Sequence, residues 1–351
     1  MAGASDTPSS HADGTHATHR SELPDAATGR IARRIRPLVA FASGPPFVAA
    51  IAAVEVAIAT VLLGLPLTPA PAVVALVAFA VYAVDHVADA GADAHSMPER
   101  AAIAHRYADQ LMIAAALAYG IAVALSIVGG PLALGVTLLP GAFWVLYASN
   151  WLPNAGRLAS AVASNGRTDV LWRRIPRLKD VVVLNSAVVA LAWAIAVTAL
   201  PLAFAGADGG AFADAGTVAD AGALADAEAG RVAVVFAYFF LRSFVDVELP
   251  NVRDVDADAA VGVATLPLVL GVDRTRRVLY GVDLLTSVVL AAAAVAGLLA
   301  WPLVAALGAG IAVSLGVTAL AGRVDDASVL GIAPDCSYLV VGMIVAGWLA
   351  G

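Results

Sequence analysis

Long stretches without charge recur along this chain and restrict the folds that it can adopt. A helix that crosses the hydrocarbon core of a bilayer needs roughly 20 apolar residues, and nine stretches meet or approach that length. Because a backbone in lipid must satisfy its own hydrogen bonds, such stretches fold as helices. The predicted spans are residues 45–64, 70–88, 108–128, 131–151, 181–204, 232–248, 278–298, 300–321 and 329–350. The pattern predicts an all-α, multi-pass membrane protein.

The composition agrees with this prediction. Of the 351 residues, 61% are hydrophobic and 13% are charged, whereas an average soluble domain has about 25% charged residues. The net charge of -7 comes from acidic loops and argues against a nucleic-acid partner. A single cysteine, Cys336, excludes an internal disulfide. Residues 1–35, rich in Ser, His, Asp, Gly and Thr, are expected to be a disordered cytoplasmic tail before a membrane domain over residues 36–351.

The basic residues predict the topology, because short cytoplasmic loops carry an excess of Lys and Arg. With nine spans, the basic clusters before span one and after spans two, four, six and eight all fall on one side. The other side holds little that is basic except Arg231, and its long loop between spans five and six is acidic and rich in Gly and Ala. This asymmetry places the N-terminus and the Asp-rich loops in the cytoplasm, with the cell membrane as the expected location.

A first acidic cluster follows span two, where Asp85, Asp89 and Asp93 recur every four residues. These side chains share one face if the helix continues through them. Like charges at this spacing repel one another, and a membrane boundary adds a desolvation cost, so a cationic partner is expected. A solvated helix end that carries acids for solubility explains the cluster equally well.

A second cluster lies in LPNVRDVDADAAVGVATLPLVLG, residues 249–271. Asn251, Asp254 and Asp258 have a similar helical spacing there, and the charge count places them on the same side as the first cluster. Opposite both lies the basic segment 173–179. Mg²⁺ prefers carboxylate and phosphate oxygens, and a metal-bound diphosphate has its charge neutralised as it leaves. The two clusters therefore predict a site for a polyanion bridged by Mg²⁺.

At these residues the sequence resembles the UbiA superfamily of intramembrane aromatic and lipid prenyltransferases. The first family signature reads N-D-x-x-D-x-x-x-D, followed by Asn, Pro and Arg. The positions that match it are Asp89, Asp93, Pro98 and Arg100. The positions that depart from it are Asp85, His86 and Ser96, where the family has Asn, Asp and Asn. Asp85 can still bind a metal through its carboxylate, whereas His86 is a different kind of ligand.

The second family signature, D-x-x-D-x-x-x-D-x-x-x-G-x-x-T-L-P, matches more closely. Asn251 replaces its first aspartate, and the matching positions are Asp254, Asp258, Gly262, Thr265, Leu266 and Pro267. The segment RRIPRLKDVVV, residues 173–183, is similar to a basic segment that precedes span five in the family. The likeness covers roughly residues 36–350.

The resemblance implies nine transmembrane helices around a central cavity. It implies Mg²⁺-dependent transfer of a prenyl group from a prenyl diphosphate to a lipid-soluble, hydrophobic acceptor in the membrane. The implied metal ligands are Asp85, Asp89, Asp93, Asn251, Asp254 and Asp258, of which the aspartates are also the catalytic residues. The implied diphosphate ligands are Arg100, Arg177 and Lys179, and Tyr147 is the implied acceptor-side residue.

Five further ionisable residues interrupt apolar spans, where charge is costly and often functional. Glu55 and Asp335 either face a cavity and position an acceptor or lie near a wet helix end. Arg242, Asp246 and Glu248 either pair with one another or orient the second acidic cluster, and pairing is the expectation.

Two other functions compete with the enzyme. A cation-binding transporter predicts charged residues near the midplane of several helices, whereas the sequence places most charge at one interface. A family member that has lost catalysis is suggested by Asp85-His86 in place of Asn-Asp.

Overall fold

The computed structural model describes residues 44–88, 90–91, 98–148, 182–207, 218–261, 265–324 and 327–351. Within these ranges the chain forms twelve helices and no β-strand, as the sequence predicts. The helices are α1 (Pro45–Leu62), α2 (Ala70–Ala88), α3 (Pro98–Arg106), α4 (Ala108–Val128), α5 (Gly130–Ala148), α6 (Val182–Ala207), α7 (Val218–Arg253), α8 (Val255–Val261), α9 (Leu266–Leu270), α10 (Val272–Val295), α11 (Trp301–Leu320) and α12 (Ala327–Ala350).

Seven helices in the described part of the chain are long and apolar enough to cross a membrane. They are α1, α2, α4, α10 and α11, with Ser186–Ala207 of α6 and Leu330–Ala350 of α12. The other two predicted spans, residues 131–151 and 232–248, fall on α5 and α7. The apolar stretch of α7 carries three charged residues, and Gly130–Gly141 of α5 is shorter than a span.

The segment predicted as a loop between spans five and six is helical from Val218 onwards. Its composition explains the difference, because VADAGALADAEAG combines acidic residues with alanine. The acids suggest exposure to water, but alanine has the highest helix propensity of all residues. The helix propensity of alanine accounts for the extension of α7.

The long helices pack in chain order around a ring. Contacts join α1 to α2, α2 to α4, and each later long helix to the next, and α12 returns to pack against α1. Both α6 and α7 also contact α1 across the ring. The N-terminal ends of α1 and α12 and the C-terminal ends of α2 and α7 meet at one end of the ring, which we call the acidic end.

Small residues allow the helices to approach closely. Gly310 on α11 lies against the Val341 side chain of α12, so that an added Cβ atom would overlap it. In membranes, where lipid is as apolar as leucine, such close packing drives helix association. Large exposed apolar side chains cover α4 and α10, for example Ile113, Leu117 and Val288. An extended apolar surface of this kind is typical of contact with lipid.

Arg231, the basic residue expected on the outer side, lies at the end of the ring opposite the acidic end. Its Nε donates a hydrogen bond to the Leu298 carbonyl at 3.1 Å, in the connection between α10 and α11. Apart from the buried Arg242, the other described arginines lie at or near helix ends towards the acidic end, for example Arg253, Arg277 and Arg323. This distribution matches the charge asymmetry from which the topology was predicted.

Labelling with a membrane-impermeant maleimide tests the topology. In a Cys336→Ser background, the Leu67→Cys variant places the thiol in the α1–α2 connection, where Leu67 is 76% exposed. The Arg323→Cys variant places it in the exposed α11–α12 connection. With the N-terminus inside, we expect intact cells to label the first variant and permeabilised cells to label both. The reverse pattern would show that the chain is inserted the other way round.

Candidate functional site

A cavity of about 250 Å³ lies at the acidic end of the ring. Its walls come from the start of α1, the end of α2, the last turns of α7 and the first half of α12. Its charged and histidine side chains, among the described residues, are Asp85, His86, Asp246, Arg253 and Asp335. The cavity therefore lies between the first positions of the first acidic motif and the region of the second motif.

Asp85 and His86 occupy the last turn of α2. Asp85 is exposed and lines the cavity, as expected for a ligand of a polar substrate or metal. His86 also lines the cavity and is only 4% exposed. The sequence signal for its position is its alignment with a family aspartate. Asp89 and Asp93, the other two predicted ligands of this motif, lie outside the described residues.

The second motif keeps a helical path across the junction of α7 and α8. The Asp254 N–H donates to the Pro250 carbonyl, and the Asp258 N–H donates to the Asp254 carbonyl, both at 2.9 Å. Asp254 and Asp258 therefore lie one turn apart on the same face, as their spacing predicts. Asn251 precedes them, and its Nδ2 donates to Glu248 Oε2 at 3.2 Å.

Arg253 links this motif to the cavity. The guanidinium lines the cavity and forms a salt bridge with Asp254, in which Nε lies 2.8 Å from Oδ1. Asp258 forms no such salt bridge among the described residues, and its buried Oδ2 has no hydrogen bond there. Burial, followed by the negative charge of Asp254, raises the pKa of the Asp258 carboxyl above its usual value, while the Thr265 side chain and the charge of Arg253 act in the opposite direction. A cation at this carboxylate would offset the first two effects.

The donor chemistry of these residues fits a divalent cation. Carboxylate oxygens are hard ligands, and the unpartnered Asp258 oxygen is available to one. The described ranges contain no group of three or more His, Cys, Asp or Glu side chains that is placed to hold a metal ion. The two remaining predicted ligands, Asp89 and Asp93, are outside those ranges. The residues present are thus of the kind that Mg²⁺ prefers.

The remaining predicted substrate contacts fall partly outside the structure. Arg177 and Lys179 lie outside the described residues. Arg100 lies in the first turn of α3 and Tyr147 in the last turn of α5, but their side chains are outside the described part. Asp256, between Asp254 and Asp258 in sequence, is exposed.

A buried cluster around Arg242 joins four helices. Arg242 on α7 is fully buried and donates to Asp246 Oδ1 at 3.0 Å, to Asp283 Oδ1 on α10 at 3.1 Å and to Ser337 Oγ on α12 at 3.2 Å. It also donates to the hydroxyl of Ser314 on α11, and Ser314 in turn donates to Asp283 Oδ2 at 2.9 Å. A buried cation is thereby surrounded by acceptors.

This cluster reaches the cavity through Asp246. The Asp246 side chain lines the cavity, and its Oδ2 accepts a hydrogen bond from the Tyr338 hydroxyl at 2.8 Å. The predicted pairing of Arg242 with Asp246 is confirmed. The predicted pairing of Glu248 with them is wrong, because a separation of six residues turns it to another face of α7, where it contacts Asn251 instead.

Asp283 was not predicted as a functional residue, although the sequence contains a signal for it. Asp283 is the single acidic residue of the predicted span 278–298, the same kind of signal that drew attention to Glu55 and Asp335. Glu55 is 4% exposed and accepts a hydrogen bond from the Trp193 indole N–H on α6. It is not among the residues that line the cavity, whereas Asp335 is.

Comparison with models of known protein families, with curated proteins and with solved structures gives no match. The resemblance to the UbiA superfamily therefore rests on the quoted sequence motifs.

Proposed function

We propose that this chain is a membrane prenyltransferase of the UbiA type, which moves a prenyl group from a prenyl diphosphate to a lipid-soluble acceptor. The observation that carries the proposal is the cavity shared by the end of α2 and the end of α7. Asp85 of the first motif and Arg253, which binds Asp254 of the second, are far apart in sequence and line the same space. A diphosphate-binding site formed by both motifs requires that the two motifs lie at the same cavity.

The residues have separate roles in this proposal. Mg²⁺ would be held by Asp85, Asp89, Asp93, Asn251, Asp254 and Asp258, and it would neutralise the charge of the departing diphosphate. The side chains of Arg100, Arg177 and Lys179 would bind diphosphate oxygens. Arg253 joins this group because it faces the cavity. The surrounding apolar helices hold the hydrocarbon tail, and Tyr147 contacts the acceptor.

We further propose nine spans around a central cavity, with the acidic end facing the cytoplasm. In support, α5 and α7 occupy the two ring positions that complete nine. The described arginines that flank the cavity region are at or near helix ends towards the acidic end, as the positive-inside rule requires. A cytoplasmic opening suits a donor whose diphosphate is water-soluble.

Transfer of radiolabel tests the proposed activity. Membranes containing the full chain, incubated with labelled geranylgeranyl diphosphate and Mg²⁺, are expected to form a labelled lipid product. EDTA should abolish the product, and added Mg²⁺ should restore it, because the diphosphate is a poor leaving group until its charge is neutralised. Membranes from cells without the chain are the control. A chain that binds the diphosphate without moving label would be a family member that has lost catalysis, and the proposal would fail.

One observation favours a second candidate, a cation-binding transporter. From the sequence, most charge was expected at one interface. In the structure, however, three charged residues are buried within the long helices α1, α7 and α10, namely Glu55, Arg242 and Asp283. Charge at this depth on several helices is typical of transporters. In this protein, however, Arg242 and Asp283 satisfy each other. Proteoliposomes with an internal pH-sensitive dye and an imposed cation gradient distinguish the two functions, since only a cation-coupled transporter would change the dye signal.

A further inference from the structure

Asp335 differs from the other acidic residues that line the cavity. Asp246 is held by Arg242 and Tyr338, and Asp85 belongs to the first metal-binding motif. The Asp335 carboxylate lines the cavity but makes no hydrogen bond or salt bridge to the described residues. A carboxylate that points into a cavity without a partner is available to a bound molecule.

The position of Asp335 separates it from the proposed diphosphate site. It lies on α12, whereas the two acidic motifs lie at the ends of α2 and α7. The cavity is only about 250 Å³ in volume, so a reacting group bound in it contacts both walls. A group from the lipid side that meets the diphosphate in this cavity therefore comes within reach of Asp335.

We propose that Asp335 accepts the proton that the acceptor loses, and that the acceptor is an uncharged lipid that reacts either through a hydroxyl oxygen or through the π electrons of an alkene or phenol ring. This inference rests on the proposed prenyltransferase function. The acceptor atom forms a bond to C1 of the prenyl group as the C1–O bond to diphosphate breaks. The electron pair of the broken bond leaves with the diphosphate, and the acceptor proton passes to a carboxylate oxygen of Asp335.

The charge of the cavity determines the acceptor class. Three carboxylates line it, from Asp85, Asp246 and Asp335. The cations assigned above, which are Arg242 for Asp246 and Arg253 with Mg²⁺ for the diphosphate, leave no cation for a carboxylate beside Asp335. A carboxylated acceptor would therefore meet like charges in a confined space. A neutral alcohol, phenol or alkene does not, and each loses a proton when it is prenylated.

The test follows two products of labelled geranylgeranyl diphosphate in membranes that contain the full chain. One is the prenylated lipid, and the other is free prenyl alcohol, which forms when water replaces the acceptor. In the Asp335→Asn variant we expect the transfer rate to fall at least about 100-fold, as for the loss of a general base. Release of prenyl alcohol and the KM for the diphosphate should stay within about twofold of the wild-type values, because the diphosphate site is intact.

Matched variants distinguish an effect on the transfer reaction from an effect on folding. The Cys336→Ser change alters the neighbouring residue on α12, which is partly buried and does not line the cavity, and should leave both products unchanged. The Asp335→Glu variant should recover part of the transfer, because it restores the carboxylate. Added para-hydroxybenzoate should not be prenylated by the wild-type protein, whereas an added long-chain phenol should be.

The outcomes distinguish this inference from the function on which it rests. Wild-type transfer rates in Asp335→Asn, or equal loss of both products, would overturn the role of Asp335 while the prenyltransferase proposal stands. Preferred prenylation of para-hydroxybenzoate would overturn the acceptor class. If the wild-type protein forms neither product, the proposed function is wrong, and this inference is wrong with it.

Discussion

An Arg242→Met variant is expected to lose about 3–5 kcal/mol of its free energy of unfolding, the usual cost of removing one partner from a buried ion pair. Arg242 is fully buried and neutralises Asp246 and Asp283 on two different helices. Methionine fills a similar volume but leaves both carboxylates without a cation, and the Asp283 carboxylate is fully buried. The measurement is the unfolding transition of the purified protein in detergent micelles.

Two further variants identify the cause of this loss. Arg231→Met removes an arginine from the other end of α7, where it makes one hydrogen bond to the Leu298 carbonyl, and should cost only about 1 kcal/mol. A triple variant with Arg242→Met, Asp246→Asn and Asp283→Asn should recover more than half of the loss, because no unpaired charge remains buried. An unchanged transition in Arg242→Met, or no recovery in the triple variant, would contradict this account.

The Asp254→Asn variant is expected to transfer prenyl groups about 100- to 1,000-fold more slowly than the wild-type protein, the usual effect of removing a group that stabilises charge in a transition state. Asparagine keeps the shape of the side chain but loses the negative charge that, in our proposal, holds Mg²⁺. The concentration of Mg²⁺ that gives half-maximal transfer should rise as well. Both values come from the labelled-lipid assay over a range of Mg²⁺ concentrations.

Asp256 provides the control for this experiment. It lies two residues further along the chain, carries the same charge and is exposed, so Asp256→Asn should change the transfer rate less than about twofold. The unfolding transition of both variants should match that of the wild-type protein. Equal effects of the two substitutions would show that net charge at the acidic end, and not the geometry of the motif, supports activity.

The helices were predictable where apolar runs are long and end sharply. The predicted spans 70–88 and 108–128 coincide with α2 and α4, because glycine, proline or charged residues lie at or near the ends of long hydrophobic runs. The α7 extension from Val218 was missed because acidic residues and alanine give opposite signals about exposure and helix formation. Local composition determines whether a segment is helical only when its signals agree.

The sequence predicts which site residues share a helix face, but it does not predict which helices bring their residues to the same cavity. Placing Asp254 and Asp258 on one helical face needs only the helical repeat. Knowing that Arg242 binds Asp283, or that Asp335 lines the same cavity as Asp85, requires the packing of α7 against α10 and of α12 against α1. A single sequence contains no direct record of which helices are neighbours.

The closure of the ring has a consequence for how the protein is made. Because α12 packs against α1, the cavity draws its walls from helices that are far apart in the sequence and is complete only after α12 has packed. Until then Arg242 and Asp246 lack their hydrogen bonds to Ser337 and Tyr338. An intermediate that has inserted α1 to α11 alone therefore carries buried charges with fewer partners, and we expect it to be less stable than the finished fold.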